Sequence, residues 1–330
     1  MIVVAFRRLR FEMVAVAVAL AGVGMLALVT GRAMQDQYEA SGLASCLSGA
    51  TGRGECSELI SAFSDRFTSL RILIVPLVLL PALFGAFIGG PLVARDVEAG
   101  THRFFWTQSV TRGRWLASST GAVLVTAVAS GATFSLITAA WLNVTNRVTG
   151  ERFGELYDMQ GIVPVGATVM AAALGVLAGA VIRRTVPAMA ATIGAFIAIR
   201  LLVAIFVRPR LMSAKVTESA FGGEGSPEGT GAWILSETTL DATGKVLGTG
   251  GSINVTGVID QCPSLPRGSG AFPPRADVDA CLRELGVRTI TRYHPADRFW
   301  TFQILESLIM VGVGTAALGT AFWFVRRRIS

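Results

Sequence analysis

Six stretches of this chain are long and apolar enough to cross a bilayer, which takes about 20 residues of helix. They run Met13–Thr30, Ile72–Ala94, Leu116–Leu142, Ile162–Ile182, Val186–Val207 and Phe302–Val325. Apolar runs this long lack the period-two alternation of barrel strands, so each reads as a helix. The fold class is therefore an all-α polytopic membrane protein with six transmembrane helices. Composition agrees: 52% of the 330 residues are apolar and 15% are charged, against about 25% charged in soluble proteins. The net charge is nevertheless +7, so the position of the charge becomes the next question. The bases do not cluster among aromatics on a polar segment, as a nucleic-acid surface requires, so no nucleic-acid partner is expected.

Arginine in the short loops sets orientation, because such loops are enriched in bases on the cytoplasmic side. Arg7, Arg8 and Arg10 precede the first span, and Arg95, Arg103, Arg112 and Arg114 lie between the second and third. Arg183 and Arg184 separate the fourth and fifth, and Arg326, Arg327 and Arg328 follow the sixth. All four segments fall on one side and together carry +9, whereas the segments on the other side carry −2. Both termini are thus expected in the cytoplasm. No small-x-small site follows the first apolar run, which favours a retained helix over a cleaved signal peptide.

Cysteine placement supplies a second line of reasoning. Cys46 and Cys56 lie in the loop 31–71, and Cys262 and Cys281 in the long segment 208–300. Charge alone puts both segments outside, where disulfides persist. Four cysteines allow three pairings. The local one, Cys46–Cys56 with Cys262–Cys281, closes the shortest loops; free thiols are the alternative.

The domain reading is 1–207 for spans one to five, 208–300 for a small mixed α/β external domain, and 301–330 for span six and a basic tail. In the external domain, Ala232–Leu240 and Gly244–Ile259 carry Trp, Ile, Val and Thr with Gly breaks and read as strands. Asp241-Ala242-Thr243-Gly244 reads as a hairpin turn. Pro263–Pro274 is a proline-rich connector, and Ala276–Leu285 reads as a helix with Asp277 and Asp279 in its first turn and Gly286 at its end. A lone histidine, His294, reads as a surface residue. No His-Glu-x-x-His, Gly-x-Ser-x-Gly or Cys-x-x-Cys occurs, so no catalytic residues and no metal site are expected.

Lys215 and Lys245 are the two lysines, each followed by valine. No Gly-x-x-x-x-Gly-Lys-Ser/Thr phosphate loop can be written, so the chain carries no ordinary ATPase site of its own. The loop 94–115 is the most informative segment. Span two is expected to continue as a helix to Ala99, with Gly100 in the left-handed conformation that ends it. Thr101 then caps a short amphipathic helix that sets Phe104, Phe105 and Trp106 beside His102, Arg103 and Gln108. Aromatics with arginine suit a helix lying on lipid headgroups. They equally suit a helix docked in the groove of a cytoplasmic partner.

The stretch Ala94-Arg95-Asp96-Val97-Glu98-Ala99-Gly100-Thr101, followed by Trp106-Thr107-Gln108-Ser109-Val110-Thr111-Arg112, resembles the loop between spans two and three of ABC-2 type transporter permeases. The actinobacterial branch of that family has closely similar wording. A second likeness lies at Pro295-Ala296-Asp297-Arg298-Phe299-Trp300-Thr301-Phe302-Gln303-Ile304-Leu305-Glu306. The resemblance implies the membrane part of an exporter in a bacterial cell membrane, working as two permease copies or homologues with a separate ABC ATPase. ATP and Mg would then bind in that ATPase, and this chain would bind no cofactor. The coupling helix seated on the ATPase would involve Arg95, Asp96, Glu98, Gly100, Thr101, Phe104, Trp106, Gln108 and Arg112. The segment before span one is shorter than the amphipathic helix the family often has there.

Arg200 and Glu306 are the ionisable residues inside spans, at similar depth. A charge in lipid costs several kcal/mol unless paired or hydrated. They are expected to pair or to face an aqueous cavity, as an external gate, part of a substrate path or a structural ion pair. Gly85–Gly89 and Gly175–Gly179 are Gly-x-x-x-Gly motifs that allow close helix approach, and Pro76, Pro81 and Pro91 are expected to kink span two. Two other functions compete with an exporter of lipophilic or amphipathic substrate. One is a sensor or assembly protein with a ligand-binding external domain. The other is an ion-coupled secondary transporter, which would want more intramembrane acids than Glu306.

Overall fold

The computed structural model describes residues 6–7, 9–48, 56–100, 112–154, 156–221, 227, 231–250, 252–253, 262 and 275–328. Among these, six helices are long and apolar enough to span a membrane: Arg10–Ala40, Val75–Glu98, Gly113–Thr149, Val163–Ile182, Thr185–Arg210 and Ala296–Arg327. We number them spans one to six. Each contains its expected apolar stretch or nearly all of it. Spans one and three run well past that stretch, because i→i−4 hydrogen bonding continues wherever polar side chains can sit at the surface.

Contacts divide the chain into two compact units. The helical unit takes Met1–Val148, Glu155–Leu211 and Trp300–Ser330, and the second takes Thr149–Gly154 with Met212–Phe299. Arg208, placed by sequence at the start of the external domain, belongs to the helical unit.

Span two is built in pieces. A 3-10 turn at Val75–Leu79 leads into an α-helical turn at Leu80–Phe84, a π turn at Gly85–Gly89 and an α-helix at Gly90–Glu98. Pro76, Pro81 and Pro91 each stand in the first turn of a helical piece, where a missing N–H costs least. The π turn faces span four, and the two Gly-x-x-x-Gly motifs meet there. A methyl group built on Gly89 would lie 2.5 Å from the Ala172 carbonyl oxygen, and one on Gly175 would lie 2.7 Å from the Gly90 nitrogen. These backbones touch, so the motifs serve packing within the chain. Span four is buried along most of its length and is the axis of this unit. Cys46 and Cys56 are joined, closing the connection between span one and Ser57–Ile74.

The second unit is a five-stranded antiparallel sheet of order β1-β5-β2-β3-β4. Its strands are β1 Lys215–Ala220, β2 Trp233–Leu240, β3 Val246–Thr249, β4 Ser252–Ile253 and β5 Arg288–His294. β2 and β3 fall on the expected strands and the Asp241 turn joins them. The Asp241 carboxylate accepts from the Thr243 N–H (2.8 Å), the Thr243 hydroxyl (2.6 Å) and the Lys245 N–H (2.9 Å). The stretch Gly244–Ile259, read as short strands with Gly breaks, holds β3 and β4, which are separated at Gly250 with φ +66°; its end and the Pro263–Pro274 connector lie outside the described residues. The helix Arg275–Glu284 ends before Gly286, which has φ +71°. Cys281 on this helix is bonded to Cys262 in a small core with Val278, Leu282 and Val287. β1 and β5 carry no strong apolar alternation and sequence reading passes over them. His294 corrects its surface reading: it is fully buried, because β5 pairs it opposite Trp233, whose ring lies 5.6 Å away.

Candidate functional site

Span six begins with two inward-facing polar side chains one turn apart, Gln303 and Glu306, both fully buried. Spacing of i, i+3 puts them on one helix face. Gln303 Oε1 accepts from the N–H groups of Ile162 and Val163, both at 3.0 Å, and so caps the start of span four. Those N–H groups have no partner inside their own helix. Thr138 and Ser135 of span three donate to the carbonyls of Met159 and Gly161, and Asn146 donates to Gln160 at 2.8 Å. The segment 157–161 is thereby held against spans three, four and six.

That segment delivers Asp158 to a buried charge cluster. Arg200 donates to Glu306 Oε1 at 2.5 Å and lies 2.5 Å from Asp158. Arg208 donates to both oxygens of Glu306 at 2.8 Å and also to Asp158. Two arginines thus meet two carboxylates, and the cluster is neutral overall. The Arg208 guanidinium also lies 4.3 Å from the centre of the Tyr157 ring, a cation–π distance. Burial disfavours ionisation of Asp158, but Arg200 and Arg208 outweigh it and hold its carboxyl below the ordinary value. Burial raises the Tyr157 phenol, helped by Glu306, so it stays neutral. Sequence singled out Arg200 and Glu306 and missed Asp158, Arg208 and Gln303.

The other group of sequence-selected residues lies at the far end of span two. The helix runs to Glu98, and Gly100 takes φ +70° as expected. Arg95 reaches Glu12 of span one at 3.4 Å. Asp96 is buried beside a cavity of about 60 Å³ that Leu9, Glu12, Arg95 and Ser119 also line. Glu98 accepts from the Thr185 N–H at 2.9 Å and its hydroxyl at 2.7 Å. It therefore caps the first turn of span five from outside that helix. Thr101, Phe104, Trp106 and Gln108 lie outside the described residues, and Arg112 is described only as the start of the span-three helix. Among the described residues no cluster of His, Cys, Asp and Glu is placed to hold a metal ion.

A family model described as ABC-2 membrane transporter related matches residues 17–208, more than half of the chain. The chain belongs to this family. No curated protein and no solved structure matches it. Membership makes the chain a membrane permease component, and ABC-2 permeases in general work with an ABC ATPase. The matched stretch covers spans two to four, most of span one and nearly all of span five. It includes the root of the 94–115 loop and ends on Arg208, so three of the four charged groups in the cluster fall within it and Glu306 does not.

Proposed function

We propose that this chain is the permease subunit of an ABC exporter and that the 94–115 loop is where it takes up motion from a separate ATPase. ATP and Mg bind in that partner, and this chain hydrolyses nothing. Two permease copies or homologues form the passage, with both termini cytoplasmic, and the substrate is lipophilic or amphipathic. The observation that carries this reading is the Glu98–Thr185 cap. It joins the residue where span two ends to the residue where span five begins, within a chain of the ABC-2 family. A push on the loop then moves three elements together: span two directly, span one through Arg95–Glu12, and span five through Glu98–Thr185. The segment connecting spans four and five is two residues long, Arg183-Arg184, so motion of span five is passed on to span four. At the other end of spans five and six the charge cluster clamps the helices. We read it as the outer closure of the passage.

The test is a pull-down of the full chain followed by ATPase assays on the complex. A Walker-motif ATPase should co-purify. Glu98→Ala should leave basal hydrolysis in place and reduce the substrate-stimulated part roughly fivefold or more, the usual scale of a coupling energy. Transport by the single chain without any ATPase would sink the proposal.

A further inference from the structure

Spans one and three run parallel and in close register. Gly24 lies beside Ile137 and Gly31 beside Trp141, and the Thr145 hydroxyl reaches the Met34 sulfur at 3.8 Å. Between them opens a groove of about 500 Å³, within the size range of small-molecule sites. Its floor is apolar, made by Ala27, Leu28 and Ile137, and one end carries Arg32 and Arg147. From Gly24 to Arg32 is about 12 Å of helix and from Ile137 to Arg147 about 15 Å. That length is one leaflet of a hydrocarbon core about 30 Å thick.

Two features say what fits. Arg32 and Arg147 are exposed and neither has a carboxylate within ion-pair distance among the described residues. Asp36 and Glu39 of span one make no ion pair with either arginine among the described residues, and Glu39 accepts from Gln35 at 2.5 Å. Arg147 meets only the neutral Asn143, at 3.2 Å. Trp141 lines the same wall and is almost fully buried, which makes its fluorescence a local reporter of the groove. A leaflet-long apolar slot with two positive charges at one end matches an anionic amphiphile whose chain lies along the helices. We propose that this groove is a binding site for an anionic phospholipid of the surrounding bilayer. The acyl chain lies over Ala27, Leu28 and Ile137 and the phosphate sits between Arg32 and Arg147. This site requires only that the chain spans a bilayer, so it stands or falls separately from coupling to an ATPase.

Tryptophan quenching in vesicles tests it. The full chain is reconstituted in phosphatidylcholine vesicles carrying either brominated phosphatidylglycerol or brominated phosphatidylcholine. Brominated phosphatidylglycerol should quench one component of the fluorescence at roughly tenfold lower mole fraction than the phosphatidylcholine analogue, since each arginine at an anionic surface gains several-fold in affinity. Trp141→Phe should remove that component. Arg32→Gln with Arg147→Gln, both exposed and neutral to folding, should make the two lipids quench alike. Equal quenching by both lipids in the wild type overturns the proposal, as does a preference that survives the double substitution. A Trp141 component that neither lipid quenches, together with Leu28→Cys crosslinking to a second copy, overturns it in favour of a chain–chain contact.

Discussion

Glu306 accepts from both arginines of the buried cluster, and its removal leaves two guanidinium groups facing a single carboxylate. Breaking a buried pair by deleting one partner costs about 3–5 kcal/mol, because the uncompensated charge remains. Glu306→Ala should therefore lower the apparent melting temperature in detergent by roughly ten degrees. Glu306→Ala with Arg200→Met restores neutrality with Arg208 facing Asp158, and should recover most of that loss. A double variant no better than the single one means that shape, not charge balance, holds the site. Asp158 adds a pH signature. Its carboxyl is held below the ordinary value, so its stabilisation is complete above the unfolded value of about 4 and fades as pH falls below it. Melting scans from pH 7 to pH 3 should be flat in the Asp158 contribution until that point, and Asp158→Asn should remove the acid drop. The Arg200–Glu306 pairing was legible because two lone charges at equal depth in apolar spans have few other solutions. Arg208 and Asp158 were not, because each stands just beyond an apolar run and reads as an ordinary loop charge. The i, i+3 pair Gln303 and Glu306 held the unread signal: two polar side chains on one face of an apolar helix need partners, and span six alone supplies none.

At the scale of elements, span two shows how far local chemistry reaches. Its three prolines announce an irregular helix, and each sits where a new piece begins. The π turn at Gly85–Gly89 has no such announcement. It forms where the backbone presses against Gly175 and Ala172, and that partner is about 85 residues away in sequence, beyond the reach of any window read along the chain. Gly175→Leu should therefore abolish folding, seen as loss of the monodisperse peak in size-exclusion chromatography. Gly22→Leu is the matched control, since a side chain there meets nothing within 4 Å, and it should behave as wild type. The sheet repeats the lesson. β2 and the Asp241 turn are local and were read, whereas β1 and β5 pair across 68 to 78 residues. Their alternation is masked by Glu218, Arg288 and Arg292, which sit on the more open face of a half-buried sheet.

For the whole molecule, six spans were legible because bilayer thickness imposes a length that no soluble fold shares. Hydropathy reports where lipid would be, not where the helix ends, so the extensions of spans one and three to Ala40 and Thr149 came only with the structure. The proposed sidedness rests on two arguments. Bases concentrate in the segments before span one, after span two, between spans four and five and after span six, as the cytoplasmic side of a membrane protein does. Both disulfides close within the opposite set of segments, as an oxidising side requires. The four native cysteines are bonded, so they are silent to maleimides and single new cysteines report cleanly. Ala242→Cys, on the exposed turn between β2 and β3, should react with a membrane-impermeant maleimide in intact cells. Ala99→Cys, exposed where span two ends, should react only after the membrane is opened. Labelling of Ala99→Cys in intact cells would place the 94–115 loop on the side away from ATP. The charge rule and the disulfides would then have failed together, and the loop could have no ATPase to meet.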